Sequence, residues 1–374
     1  MLKRVTNLAE SLSARLRQLI AAGSMLVAAL ACLAPAAVLA QAAATSPPQN
    51  LQDTGLYADF STLEVDPRHL AFTPQYPLWS DGAAKRRWLS LPAGGVIDGS
   101  DPDAWIFPVG TRFWKEFAFS GQRVETRYLE RQADGQWLYA AYAWSPDGRE
   151  AILTSQKGRR SAYALAAGRS HTIPGVTDCK ACHQGGRTEI LGFSALQLSP
   201  DRDPVALHAE PRSIPDVDVS YLIEQGLLVG LPKAFVENAP RIAAASATER
   251  AALGYMHGNC GHCHNDQGPQ KNLGLFLQHV SADRTQPAVA TTIGHPVKKP
   301  APGQSPDAVL RVEPRHPESS ALLERMASRY PALQMPPLGT ELADQDAVAL
   351  IHRWISELDV SSIGPNWEGK GNQQ

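Results

Sequence analysis

The sequence predicts an α+β multidomain chain, with a β-rich, sandwich-like N-terminal domain followed by a mainly α C-terminal domain. Three observations predict it. From Tyr57 to Ile173, short aromatic or β-branched runs alternate with Gly- and Asp-containing turns, as in antiparallel strands. From residue 245 onward the pattern becomes one of capped segments with apolar residues three and four apart. The pentapeptide pattern C-x-x-C-H occurs twice, as Cys179-Lys180-Ala181-Cys182-His183 where the β pattern ends and as Cys260-Gly261-His262-Cys263-His264 inside the helical part.

The chain has 374 residues, 43% hydrophobic and 19% charged, enough for two or three domains with sizeable cores. A net charge of -2 leaves no electrostatic footprint for nucleic acid. Residues 1–40 read as a secretory signal peptide. Lys3, Arg4, Arg15 and Arg17 precede an apolar run from Leu19 to Leu39, and Val38-Leu39-Ala40 fits small-residue cleavage before Gln41. The alternatives are an uncleaved anchor, since the run is about long enough to span a bilayer, and a lipoprotein site at Cys32. Cleavage after Ala40 predicts an exported, periplasmic protein with no stable membrane span. Without residues 1–40, 31 basic residues stand against 36 acidic ones, so a docking partner in the cell envelope is expected to be basic.

Residues 41–55, rich in Ala, Ser, Pro and Gln, predict a flexible leader. The β-rich domain is placed over 56–175. Its strands are expected at Arg112–Phe119, Arg123–Glu130, Trp137–Trp144 and Ala151–Thr154, with turns at Ala133-Asp134-Gly135 and Ser145-Pro146-Asp147-Gly148. Six of the eight Trp lie between Trp79 and Trp144, and the simplest role for them is core filling. Residues 176–244 hold the first C-x-x-C-H motif and a Pro-containing connector, with a short helix over Val217–Gln225 closed near Gly226. Over 245–360, Ser246-Ala247-Thr248-Glu249 is a capping box opening a helix that ends near Gly258. A loop over 295–306 follows, then a helix with Pro317 in its first turn. A last helix begins near Asp344 with Val348, Ile351, Ile355 and Leu358 on one face. Residues 361–374 form a polar tail.

C-x-x-C-H is the attachment pattern of haem c. Two thiols at that spacing reach the two vinyl groups on one porphyrin edge, and the adjoining His ligates the iron. After removal of Cys32, all four remaining cysteines belong to the two motifs, which predicts two covalent haems and no disulfide. A four-thiolate zinc site or a redox dithiol would explain the cysteines but not a His directly after each pair. His183 and His264 are the expected proximal ligands.

The stretch 245–360 resembles a class I cytochrome c. The resemblance rests on the order of a first helix, C-x-x-C-H, Met335-Pro336-Pro337-Leu338-Gly339 and a closing helix with Trp354. It implies His264 as proximal and Met335 as distal ligand, a pair that raises the reduction potential relative to His/His. Met326, at helical spacing with Leu322 and Leu323, reads as packing. No Met-Pro segment lies between the two motifs. The sixth position at the first haem is therefore either open or taken by a histidine, with His208 the first choice and His171 and His257 the others. The whole chain resembles a family of bacterial periplasmic di-haem c-type cytochromes. That resemblance is carried by Tyr76-Pro77-Leu78-Trp79-Ser80-Asp81-Gly82-Ala83, Phe107-Pro108-Val109-Gly110-Thr111, Leu191-Gly192-Phe193 and the run from Tyr255 to His264. It implies haem binding and electron transfer. The alternative is a di-haem peroxidase- or oxidase-like enzyme working at an open first haem.

Overall fold

Alternation decides the larger part of the fold. In Arg112–Phe119 the residues Phe113, Lys115 and Phe117 point to one side and Trp114 and Glu116 to the other. Neighbouring strands repeat the pattern, and the two sides of the sheet bury different clusters. One holds Leu89, Phe113, Leu129 and Tyr139. The other holds Trp88, Trp114, Tyr128 and Tyr142.

The computed structural model describes residues 46–359 apart from 213, 216, 283–285, 301, 302, 304 and 306–308. The expected signal peptide (1–40) and tail (361–374) lie outside the described residues. The strands run β1 (Tyr57–Asp59), β2 (Glu64–Val65), β3 (Leu70–Ala71), β4 (Ala84–Ser90), β5 (Ile97–Asp98), β6 (Arg112–Phe119), β7 (Gln122–Arg131), β8 (Trp137–Trp144), β9 (Ala151–Leu153), β10 (Arg159–Ala164), β11 (Ser170–Ile173) and β12 (Leu228–Val229). Six of them make one antiparallel sheet in the order β3-β4-β6-β7-β8-β9, and the rest form two-stranded pairs. The helices are α1 (Val176–His183), α2 (Val219–Glu224), α3 (Lys233–Glu237), α4 (Ala247–Asn259), α5 (Pro287–Thr292), α6 (Ala321–Ala327) and α7 (Gln345–Glu357). None among the described residues is long and apolar enough to cross a membrane.

Three expectations are corrected. The β-rich part is a single six-stranded sheet rather than two facing sheets. Its faces are covered by short elements and loops rather than a second large sheet: Leu51, Leu56 and Tyr57 on one side, and Trp105, Ile190, Phe193 and Leu198 on the other. The leader is ordered from Pro47 onward. Leu51 is fully buried, Leu153 N–H donates to Gln49 O at 2.9 Å, and the Tyr142 hydroxyl donates to Pro48 O at 2.9 Å. A Pro- and Gln-rich composition concealed one apolar side chain worth about 1.5–3 kcal/mol on burial. The expected boundary between β and α domains also disappears, because the described residues from Pro47 to Asp359 fall in one compact unit.

That union depends on α4. Ser246 caps it by accepting from Glu249 N–H at 3.1 Å, and Asp344 caps α7 by accepting from Ala347 N–H at 3.2 Å. The two helices share a core of Leu253, Met256, Ile351, Trp354 and Ile355. Tyr76, from the segment before β4, enters the same core, and its ring fills the space where a Cβ on Gly254 would stand. Asn259, at the end of α4, accepts from Trp79 N–H at 2.7 Å and so holds the rest of that segment. Replacing Leu51→Ala should lower stability by about 2–5 kcal/mol, read as a lower denaturant midpoint. An unchanged midpoint would restore the loose leader.

Candidate haem-attachment sites

The first motif is helical. Gly175 is the N-cap of α1, and its N–H donates to Asp178 Oδ2 at 3.0 Å. A helix places residues three and four apart on one face, so Cys179, Cys182 and His183 project together. His183 Nδ1 lies 2.5 Å from Glu189 O. A carbonyl only accepts, so Nδ1 carries the proton and Nε2 keeps its lone pair. Burial, with Arg127 and Lys115 nearby, pushes the His183 pKa down to about 4, which keeps the ring neutral. The Tyr139 hydroxyl, whose ring centroid is 5.4 Å from that of His183, donates to the Glu189 carboxylate.

Cys179, Cys182 and His183 open onto a cleft of about 1350 Å³ including its mouth. Its walls come from distant parts of the chain: Tyr76 and Trp79, the sheet face with Arg87, Lys115 and Arg127, and the Met335 segment through Pro336 and Leu338.

The second motif follows α4 as a tight turn. Cys263 and His264 N–H groups both donate to Cys260 O, at 3.1 and 2.9 Å. Burial pushes the Cys260 thiol up to about 12 and the Cys179 thiol up to about 11. His264 Nδ1 is buried and has no hydrogen-bond partner among the described residues, and burial lowers its pKa to about 4. The guanidinium of Arg325 also acts on His264, and the backbone carbonyl of the same Arg325 accepts Met335 N–H at 3.0 Å. Met335 is half-buried on this side, with its carbonyl held by Arg329 at 3.2 Å. Met326 is buried in the helical core, as expected of a packing residue.

The two motifs, some eighty residues apart in the chain, touch. Asn265, directly after the second motif, donates through Nδ2 to Gly185 O at 2.7 Å and to Gly261 O at 3.0 Å, while its Oδ1 accepts Gly268 N–H at 2.6 Å. A Cβ on Gly185 would stand 2.6 Å from His262 O, so only glycine permits this approach. The Cys182 and Cys263 thiols hydrogen-bond to each other, which raises the pKa of Cys182 to about 12 and lowers that of Cys263. All four cysteines are free of disulfides. Nothing in the sequence tied Asn265 to Gly185. The glycine pair Gly185-Gly186 behind the first motif was the available signal for a close backbone approach.

The histidines expected as sixth ligands lie elsewhere. His208 does not line the cleft: its Nε2 bonds Asp344 Oδ2 at 2.8 Å, beside the start of α7. His171 is buried with Nδ1 3.1 Å from Asp81 and Nε2 3.1 Å from Glu125, so both ring nitrogens are spent. Burial opposes its charge, but the two carboxylate bonds outweigh burial and hold its pKa above the ordinary value. His257 faces His279, whose N–H donates to His257 Nδ1 at 3.0 Å, and it lines a separate cleft. Sequence proximity to the motif suggested His171 and His208, and the helix leading to the second motif suggested His257; carboxylates claim the first two and the His279 N–H claims the third. His208, Asp344 and Asp346 could together offer three ligand atoms to a cation, but Asp344 already caps α7 and accepts from Tyr255 Oη at 3.0 Å.

Comparison of the chain with family models, curated proteins and solved structures returns no match. Asn265→Ala should leave the Gly185 carbonyl and the Gly268 N–H without partners and cost about 1–3 kcal/mol for each group left buried. Chemical denaturation checks this, and an unchanged midpoint would mean that the two motifs do not depend on the Asn265 bridge.

Proposed function

We propose that this chain is an exported di-haem c-type cytochrome that moves electrons through two covalently bound haems, with a class I cytochrome c-like arrangement around the second. The observation that carries the reading is the meeting of two C-x-x-C-H motifs, inner cysteine against inner cysteine, beside a cleft lined by aromatic and apolar side chains. The donor set fits haem c. Four thiols are free for thioether formation, and each pair is followed by a half-buried imidazole whose pKa is lowered to about 4. Cys179, Cys182 and His183 would hold one haem, and Cys260, Cys263, His264 and Met335 the other. Bound haem supplies a one-electron couple at iron.

The protein's own residues govern the rest. Glu189 O fixes the orientation and tautomer of His183 and strengthens it as a ligand. Arg325 and Arg329 hold the backbone of Met335 at either side of its sulfur-bearing residue. Contact between Cys182 and Cys263 sets the two attachment points side by side, so an electron entering at one motif reaches the other without leaving the chain. His/Met ligation favours the reduced state, which directs electrons from the first motif toward the second. The export signal and acidic mature charge fit a periplasmic carrier that meets a basic redox partner.

Two variants test the reading. Cys182→Ala should reduce the mass of the exported protein by one haem, measured by intact mass under denaturing conditions. Loss of neither haem or of both would break the assignment of one haem to each motif. Met335→Ala should lower the midpoint potential of one haem only, by on the order of 100 mV within the roughly 0.8 V that axial ligands command. A redox titration identical to that of the parent protein would remove Met335 from the ligand set.

A further inference from the structure

The sheet face that walls the first cleft carries a row of cations with no place in a simple electron carrier. Arg87 on β4 is the cross-strand partner of Lys115 on β6, and Lys115 is the partner of Arg127 on β7. All three line the cleft that receives Cys179, Cys182 and His183. Like charges directly opposite one another destabilise a sheet, and burial adds to the cost. The outer two are neutralised. Arg87 pairs with Glu210, and Arg127 pairs with Glu125 at 2.7 Å. Lys115, between them, makes no hydrogen bond or ion pair among the described residues, and its Nζ lies 4.8 Å from the centroid of the Phe117 ring. Burial first, then the neighbouring cations, push its pKa well below that of an ordinary lysine, toward the neutral amine.

The cleft has few other donors with a free lone pair. Among the described residues no methionine lines it, and His171, His208 and His257 are absent from its walls. Besides His183, the only imidazole there among the described residues is His262, which hydrogen-bonds the Cys182 thiol and is clamped within the second motif, where its carbonyl accepts from Asn265 at 3.2 Å. Lys115 extends a four-carbon stem from the middle of a strand paired on both sides.

Resting on the haem reading above, we infer that the side-chain amine of Lys115 is the sixth ligand of the iron held by His183. As the neutral amine, Lys115 would offer its nitrogen lone pair to the iron directly; from the ammonium form one proton would first pass to solvent water. No oxidation or reduction accompanies the step. The guanidiniums of Arg87 and Arg127, each tied to its own carboxylate, flank the amine and disfavour its reprotonation. The first haem would then be closed to small ligands, which separates an electron carrier from a peroxidase-like enzyme.

The test uses the full exported chain, with covalent haem counted first by intact mass. Near-infrared magnetic circular dichroism of the oxidised wild type should then show one amine–imidazole haem and one methionine–imidazole haem, both low-spin. Lys115→Ala and Lys115→Leu should keep both covalent haems, convert one of the two to high spin, and let that one bind added cyanide. Lys115→His should restore low spin with a bis-imidazole signature. The inference is overturned if the wild type shows a bis-imidazole or high-spin first haem, if both Lys115 variants stay low-spin, or if His262→Ala rather than Lys115→Ala opens the site. Absence of covalent haem from the first motif would instead overturn the cytochrome reading itself.

Discussion

The carboxamide of Asn265 joins what the chain keeps apart. One NH2 group reaches the carbonyls on either side of a junction between two loops, and the carbonyl oxygen of the same side chain closes the turn at Gly268. With a residue 4% exposed, each of these bonds is made away from competing water. The contact between Cys182 and Cys263 lies beside this bridge, and His262 of the second motif lines the cleft of the first. If the two motifs carry haem as proposed, a pair of sites held this way needs no hinge between them, which would suit electron transfer, where separation matters and motion does not help.

A second constraint joins the Met335 side to the sheet. Asp81 accepts the N–H groups of Glu341 and Leu342 at 2.7 and 3.0 Å through one oxygen, and bonds His171 through the other. His171 passes on to Glu125, and Glu125 to Arg127 on the wall of the cleft. Buried polar groups are tolerated when each has a partner, and along this line every carboxylate oxygen named has one. The same line explains why His171 cannot serve as a metal ligand: both its ring nitrogens are bonded to carboxylates. Its position in the sequence gave no hint of that, because Asp81 and Glu125 are 90 and 46 residues away.

Local signals were legible and long-range ones were not. The capping residues Ser246 and Asp344, the strands from Arg112 to Trp144 and the turn at Gly135 are written in adjacent residues, and the structure places each close to where those residues predict. The side-by-side projection of Cys179, Cys182 and His183 follows from helical spacing alone. Tyr76 filling the space above Gly254, Leu51 sealing the far face of the sheet and Asn265 bridging to Gly185 are products of packing between distant segments, and no window of sequence carries them. Lys115 was hidden for another reason. In Arg112–Phe119 it reads as one polar residue in an alternating strand, and only the register with Arg87 and Arg127 shows that it faces inward.

These contacts change what the 245–360 stretch is. As a resemblance it has the order of parts of a free-standing class I cytochrome c. In the folded chain Tyr76 and Leu196 belong to its core, Trp79 hangs from the end of its first helix, and Asp81 holds the segment beyond Met335. In return it contributes Pro336, Leu338 and His262 to the walls of the first cleft. Each motif is thus completed by residues from the other's part of the chain. The Tyr76-to-Ala83 segment, which in sequence helps carry the family resemblance, links the two, because it touches α4, the first cleft and the Met335 side together.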